Sequence, residues 1–225
     1  MTRRGVIVLL IGGVVLLAGC GSLSPARYRF RMTVEVETPQ GIRSGSSVLE
    51  VTSQLQNLPG QGITPLTMLT GEAVAVDLPG GRTLFALIGD LPSGDDLEGE
   101  VTKLFEPGAI RPEEFVASVE KLGRSDQVGR VAQMPSEHYP QFATFRDIGD
   151  PKSIEVVDPR NLGANFGPGV KLRGVAVTIT HDDVTTGIKK RLGYGRAENG
   201  FADWYRSLPF NDDRRIGPEN FYRGT

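Results

Sequence analysis

Residues 27–38, RYRFRMTVEVET, alternate without a slip between apolar and polar side chains. Tyr28, Phe30, Met32, Val34 and Val36 fall on one side, and Arg27, Arg29, Arg31, Thr33, Glu35 and Glu37 on the other. A period of two belongs to a pleated strand with one face buried and the other wetted. A register slip of one residue would turn five large apolar groups to solvent, so the pairing of this strand is strongly specified. Thr38-Pro39-Gln40-Gly41 is a turn, and residues 46–52 return as a second strand, so an antiparallel hairpin is expected at 27–52. Its wetted face carries arginines at one end and glutamates at the other, suited to cross-strand ion pairs.

Further along, residues 55–68 are rich in Pro, Gly and Gln with little periodicity and read as loop. Residues 73–77 and 83–88 are apolar runs around Leu78-Pro79-Gly80-Gly81-Arg82, a second hairpin whose first strand reads as buried on both faces. Residues 90–100 read as an acidic loop. Pro112 at a helix start, Glu113 and Glu114 in the first turn, an apolar stripe Phe115, Val119, Leu122, and Gly123 as the stop predict a helix over 112–122. Short strands are expected at 142–146 and 154–157, and a longer one at 172–180 with Val175, Val177 and Ile179 inward. Asp182 or Asp183 would then cap a helix in which Val184, Ile188 and Leu192 share a face. The pattern predicts an α+β, β-rich fold of antiparallel hairpins with one or two short helices. It forms a single domain at 27–193, with an aromatic tail at 194–225 packed on it as irregular structure.

The N-terminus has a different character. Arg3 and Arg4 precede an apolar run from Val6 to Leu17 and the small residues Ala18-Gly19, the order of a secretory signal peptide over residues 1–19. The run is too short for a spanning helix, which needs about 20 apolar residues. Leu17-Ala18-Gly19-Cys20 resembles the lipobox of bacterial lipoproteins, which implies attachment of diacylglycerol to the Cys20 thiol, cleavage before it, and a tether over residues 20–26. Aspartate is absent from the position after Cys20, which by the same resemblance implies an outer-membrane anchor facing the periplasm. Cys20 is the chain's sole cysteine, so the mature protein would have no free thiol and no disulfide. Loss of Arg3 and Arg4 takes the formal net charge from −2 to −4, which gives no electrostatic footprint for nucleic acid.

Several residues invite chemistry. His181-Asp182-Asp183 offers an imidazole beside carboxylates, as a metal or acid–base site would, and equally fits a strand end followed by a helix cap. His138, between Glu137 and Tyr139-Pro140, reads as a loop residue. Asp90, Asp95, Asp96, Glu98 and Glu100 supply oxygens for a hard cation but lack the order that converges them in a calcium loop, and read as solvated. Ser118 and Lys121 fit Ser-x-x-Lys without the companion motifs of that chemistry. Gly167-Pro168-Gly169 lacks the central N–H that a phosphate cradle needs and reads as a turn. Lys189-Lys190-Arg191 sits where a helix C-terminus attracts cations. No cofactor is expected.

The stretches YRFRMTVEVETPQG with GSSVLEV, and VDPRNLGANFGPGVKLRGVAVTIT running into VTTGIKKRLG, are similar to a group of small proteobacterial proteins of unknown function. That resemblance implies no activity and no site residue. The reading is therefore a membrane-anchored envelope lipoprotein acting as a non-enzymatic binding or assembly module, with an envelope protein as partner. The alternative is a periplasmic hydrolase or metal-dependent enzyme using His181 with Asp182 or Asp183. The tail aromatics Phe201, Trp204, Tyr205, Phe210, Phe221 and Tyr222 would form a partner surface if exposed, and are expected to pack on the core.

Overall fold

The alternating stretch is strand β1 (Ala26–Thr38), and its five apolar side chains are at most 2% exposed. The computed structural model describes residues 24–60, 62–193 and 201–225. The signal-peptide reading of 1–19, Cys20 and the first tether residues lie outside the described residues. Strand β2 (Gly41–Leu58) pairs with β1 from Thr38↔Gly41 to Ala26↔Ser53, and β9 (Lys171–Thr180) pairs along the other edge. The cross-strand ion pairs form on the wetted face: Arg29 Nε lies 2.8 Å from Glu50, and Arg173 lies 3.4 Å from Glu35.

The expected loop at 55–68 is instead extended chain. Strand β2 runs on to Leu58, and β3 (Gly62–Glu72) returns in register from Leu58↔Gly62 to Glu50↔Thr70. Backbone ladder bonds hold this hairpin, whereas most side chains of 54–58 and 62–66 are not buried, so the apolar alternation that announces a half-buried strand never develops. With β6 (Val131–Gln133) and β10 (Tyr222–Arg223), these strands make a six-stranded sheet in the order β10-β3-β2-β1-β9-β6.

The chain leaves that sheet across Glu72 and enters a second, antiparallel sheet of β4 (Val74–Asp77), β5 (Thr83–Ala86), β7 (Phe142–Phe145) and β8 (Ile154–Val157), in the order β4-β5-β7-β8. The two sheets share a core in which Phe30, Met32, Leu49, Val175 and Val177 meet Val74, Leu84 and Phe142. Where β2 crosses β4 the backbones nearly touch. A Cβ on Gly45 would stand 2.1 Å from the Ala75 carbonyl oxygen, so only glycine fits there. The far face of the second sheet is covered too: Phe85, Leu87, Phe145 and Ile154 pack against Ile188, Phe201, Ile216 and Phe221. Strands β5 and β7 are therefore buried at every position, the continuous apolar pattern of a sheet with two covered faces.

Among the described residues five α-helices complete the fold, more than the one or two expected, and the α+β, β-rich class expected from the sequence holds. Helix α2 (Pro112–Leu122) is where the pattern put it. Gly123 follows it at φ −74°, so it is no left-handed stop; it is glycine because a Cβ would lie 2.2 Å from the Arg27 carbonyl oxygen. The acidic loop is a loop only as far as Asp96, whose side chain caps α1 (Leu97–Phe105) by accepting from Gly99 N at 2.6 Å. Leu97, Val101 and Phe105 form the buried stripe of α1, which also takes Glu98 and Glu100 below 9% exposure. Helix α3 (Gly163–Phe166) is a single turn.

Asp182 and Asp183 cap nothing. Residues 184–187 stay out of helix because Thr185 bonds the backbone of Val48 twice, its Oγ1 accepting from Val48 N and its N donating to Val48 O. Helix α4 (Ile188–Leu192) begins only after Gly187, and the buried carboxylate of Glu72 accepts from Ile188 N at 2.7 Å. The tail departs from the expected irregular structure as well. It supplies α5 (Phe201–Ser207), strand β10 beside β3, and Phe221 at the centre of the second core cluster. Phe201 is buried as expected, while Phe210 is 92% exposed, contrary to expectation.

Candidate functional site

His181 is exposed at the end of β9, with Nε2 3.2 Å from the Gly123 carbonyl oxygen, beside a cavity of about 200 Å³ that Arg27, Arg29 and Glu50 also line. Its two aspartate neighbours do not converge with it. Asp182 bonds the Arg31 guanidinium at 2.6 Å, and Asp183 lies 3.2 Å from Arg29. The Arg31 hydrogen bond, followed by that of Thr180, holds the Asp182 carboxyl below its ordinary range. The carboxylates thus anchor the end of β9 to the arginine row of β1. Ser118 donates back to the Glu114 carbonyl while Lys121 pairs with Glu106 at 2.7 Å, so Ser-x-x-Lys here is helix bonding and an ion pair. Gly167-Pro168-Gly169 is a turn into β9.

Two of the five acidic residues do meet a histidine. Asp95, Glu100 and His138 each bring one ligand-type atom within 4.8 Å of the others, the one such trio among the described residues that could hold a metal. His138 Nδ1 is enclosed and 3.1 Å from Glu100, whose second oxygen accepts from Lys103 Nζ at 2.6 Å. That hydrogen bond raises the Lys103 ammonium above its ordinary value. Lys103 thus already pairs with Glu100, and the contact of His138 with the same carboxylate brings α1 against the 3₁₀ turn at 136–138. No local spacing announces it, because His138 lies 38 positions from Glu100 in sequence and only tertiary packing brings them together.

A further concave feature lies beside that turn. A groove of about 780 Å³ opens where the edge of the second sheet stands over the start of β9. Phe142 and Val157, a cross-strand pair that is almost fully buried, line it together with the more exposed Val156 and Leu172. The Tyr139 ring meets Phe142 edge-on at 6.4 Å. Charge is confined to the loops and to a strand start: Glu137, Asp158, Arg160 and Lys171. The backbone N–H of Arg160 and then its guanidinium hold Asp158 below its ordinary carboxylate range, at 2.9 Å and 3.2 Å, so the rim carries a fixed anion–cation couple. Apolar walls with a few polar groups at the mouth, and a volume within the range of about 300–1,000 Å³, are the features of small-molecule sites. The groove draws on residues 92 to 172, and no sequence motif marks it. No protein-family model matches the chain, and neither does any curated protein or any solved structure.

Proposed function

We propose that this chain is a lipid-anchored envelope protein of the binding class, held at the membrane through Cys20, whose groove takes an amphiphilic ligand. The observation that carries the binding reading is the groove's mixed lining, apolar at Phe142, Val156, Val157 and Leu172 and charged at Glu137, Asp158, Arg160 and Lys171. An apolar ligand body would be drawn from water at about 25 cal/mol per Å² buried, while its headgroup stays at the wet rim. The hydrolase alternative at His181 is the weaker reading, since Asp182 and Asp183 are occupied by Arg31 and Arg29.

The test uses the full chain carrying Cys20→Ser, titrated with a dansyl-labelled fatty acid. Saturable binding is expected, weakened about tenfold or more by Leu172→Arg and unchanged by His181→Ala. Equal affinity in the Leu172→Arg chain refutes the groove as the site. The anchor is tested by fractionation: the native chain should sediment with membranes and the Cys20→Ser chain should not.

A further inference from the structure

The β2–β3 hairpin outruns the rest of its sheet. Strand β1 begins at Ala26, opposite Ser53, but β2 continues five residues beyond it to Leu58. On the other edge, β10 meets β3 only at Gly71 and Glu72. The part of the hairpin formed by 54–58 and 62–66 therefore has no further strand on either side among the described residues. At about 3.3 Å per residue it projects roughly 17 Å.

The composition of this arm is unlike that of the rest of the chain. Residues 51–71 contain no Asp, Glu, Lys, Arg or His, although 23% of the chain is charged. In their place stand four exposed large apolar side chains, Leu55, Ile63, Leu66 and Met68, between 38% and 57% exposed. They do not share a face. Leu55 and Ile63 lie on the side that continues the core face of the sheet, and Leu66 and Met68 lie on the opposite side, opposite Gln54 and Thr52 in the ladder. A docking surface for a folded protein would collect its apolar groups on one side. Met68 lies at the base, where Thr52 still pairs with β1, and Pro65 and Thr67 there share a cavity with Phe115 and the start of α1. Beyond that base, Leu55 and Ile63 on one side and Leu66 on the other of a ribbon without charge of its own suit a medium that surrounds it.

The position of the arm identifies that medium. The tether enters at Ala26, beside Ser53 at the arm's base, so Cys20 lies six residues from the point where the arm starts to project. Six residues reach at most about 20 Å, comparable to the arm's own length. An acyl group on Cys20 and the tip of the arm are thereby held within reach of the same surface.

We infer that the β2–β3 arm seats in the lipid headgroup layer beside the anchor. This rests on the lipid-anchor reading of Cys20. Insertion is shallow, on the order of 5–10 Å, because the unpaired edge N–H and C=O groups of a two-stranded ribbon cannot enter hydrocarbon. The arm fixes the protein's orientation, which a single acyl attachment alone cannot do.

The test uses the full acylated chain, whose own thiol is consumed, in vesicles of phosphatidylethanolamine and phosphatidylglycerol. Single cysteines replace Ile63, Leu66, or Gln40 in the turn at the opposite end of β1, and carry an environment-sensitive dye. Lipid-borne doxyl groups should quench the dye at 63 and 66 and leave the dye at 40 unchanged. Equal responses at 66 and 40 overturn the inference while intact-mass detection of the acyl group upholds the anchor. If the mass shows no acyl group the anchor reading falls, and quenching of the unacylated chain on the same vesicles decides for or against the arm. Protection of the dye in envelope fragments but not in vesicles assigns the arm to a protein partner and also overturns it.

Discussion

Tyr28 and Thr102 tie β1 to α1 through a hydrogen bond whose deletion can be worked out group by group. Both residues are at most 2% exposed, and their oxygens are 2.9 Å apart. Thr102 Oγ1 donates to the Glu98 carbonyl at 2.7 Å, which spends its single proton, so the Tyr28 hydroxyl is the donor between them. Tyr28→Phe removes that donor and leaves Thr102 one empty lone pair, at a cost of about 1 kcal/mol. Thr102→Val is nearly isosteric but strands the Tyr28 hydroxyl in the core without an acceptor, which costs about 2 kcal/mol. In the double variant neither orphan exists, and the loss should be about 1 kcal/mol rather than the additive value of about 3. The assay is equilibrium urea unfolding of the Cys20→Ser chain, followed by far-UV circular dichroism and by fluorescence of Trp204, the sole tryptophan. Additivity within about 0.5 kcal/mol would show that the two hydroxyls are not coupled and would refute the assignment of donor and acceptor.

Three further outcomes follow from the same architecture. Gly45→Ala should destabilise by about 1–3 kcal/mol because its methyl meets the Ala75 carbonyl. Gly174→Ala, on the other neighbour of β1, has its nearest contact at 3.7 Å and should be neutral or slightly stabilising in the same unfolding assay. Burial pushes the Tyr28 phenol well above its ordinary value of 10.0. A folded-state value above the unfolded one means that this contribution is complete below pH 10 and is lost as pH rises past it. Between about pH 10 and 11 the parent should therefore lose about 1 kcal/mol more stability than Tyr28→Phe, and parallel curves would contradict the burial argument.

Strands β1 and β9 and helix α2 were legible in the sequence because each buries one face and leaves the other wet, and burial of one face writes a period. Helix α1 was hidden for the opposite reason: Glu98, Gly99 and Glu100 interrupt its stripe, and Glu98 and Glu100 look solvated until packing encloses them. The β2–β3 arm was hidden because ladder bonds, which any backbone can make, hold it in place of a buried side-chain face. Asp182 and Asp183 have the residue type of a cap, but Arg29 and Arg31 lie more than 150 positions away in sequence and outcompete the local helix. The groove could not be read at all, since its lining joins Phe142, Val157 and Leu172 across two sheets.

The sheet order also dictates a sequence of events in folding. Strand β1 gains β2 across a two-residue turn almost as soon as both exist, whereas its other neighbour, β9, begins only at Lys171. Until then β1 presents a row of unsatisfied N–H and C=O groups along the edge of an apolar-faced sheet, the state most prone to pairing with another chain. Its completion waits on closure of a loop of more than 130 residues, so folding should be slow for a domain of this size. A holding factor that recognises open sheet edges would act in that interval, and destabilising β9 would lengthen it without changing a single residue of β1.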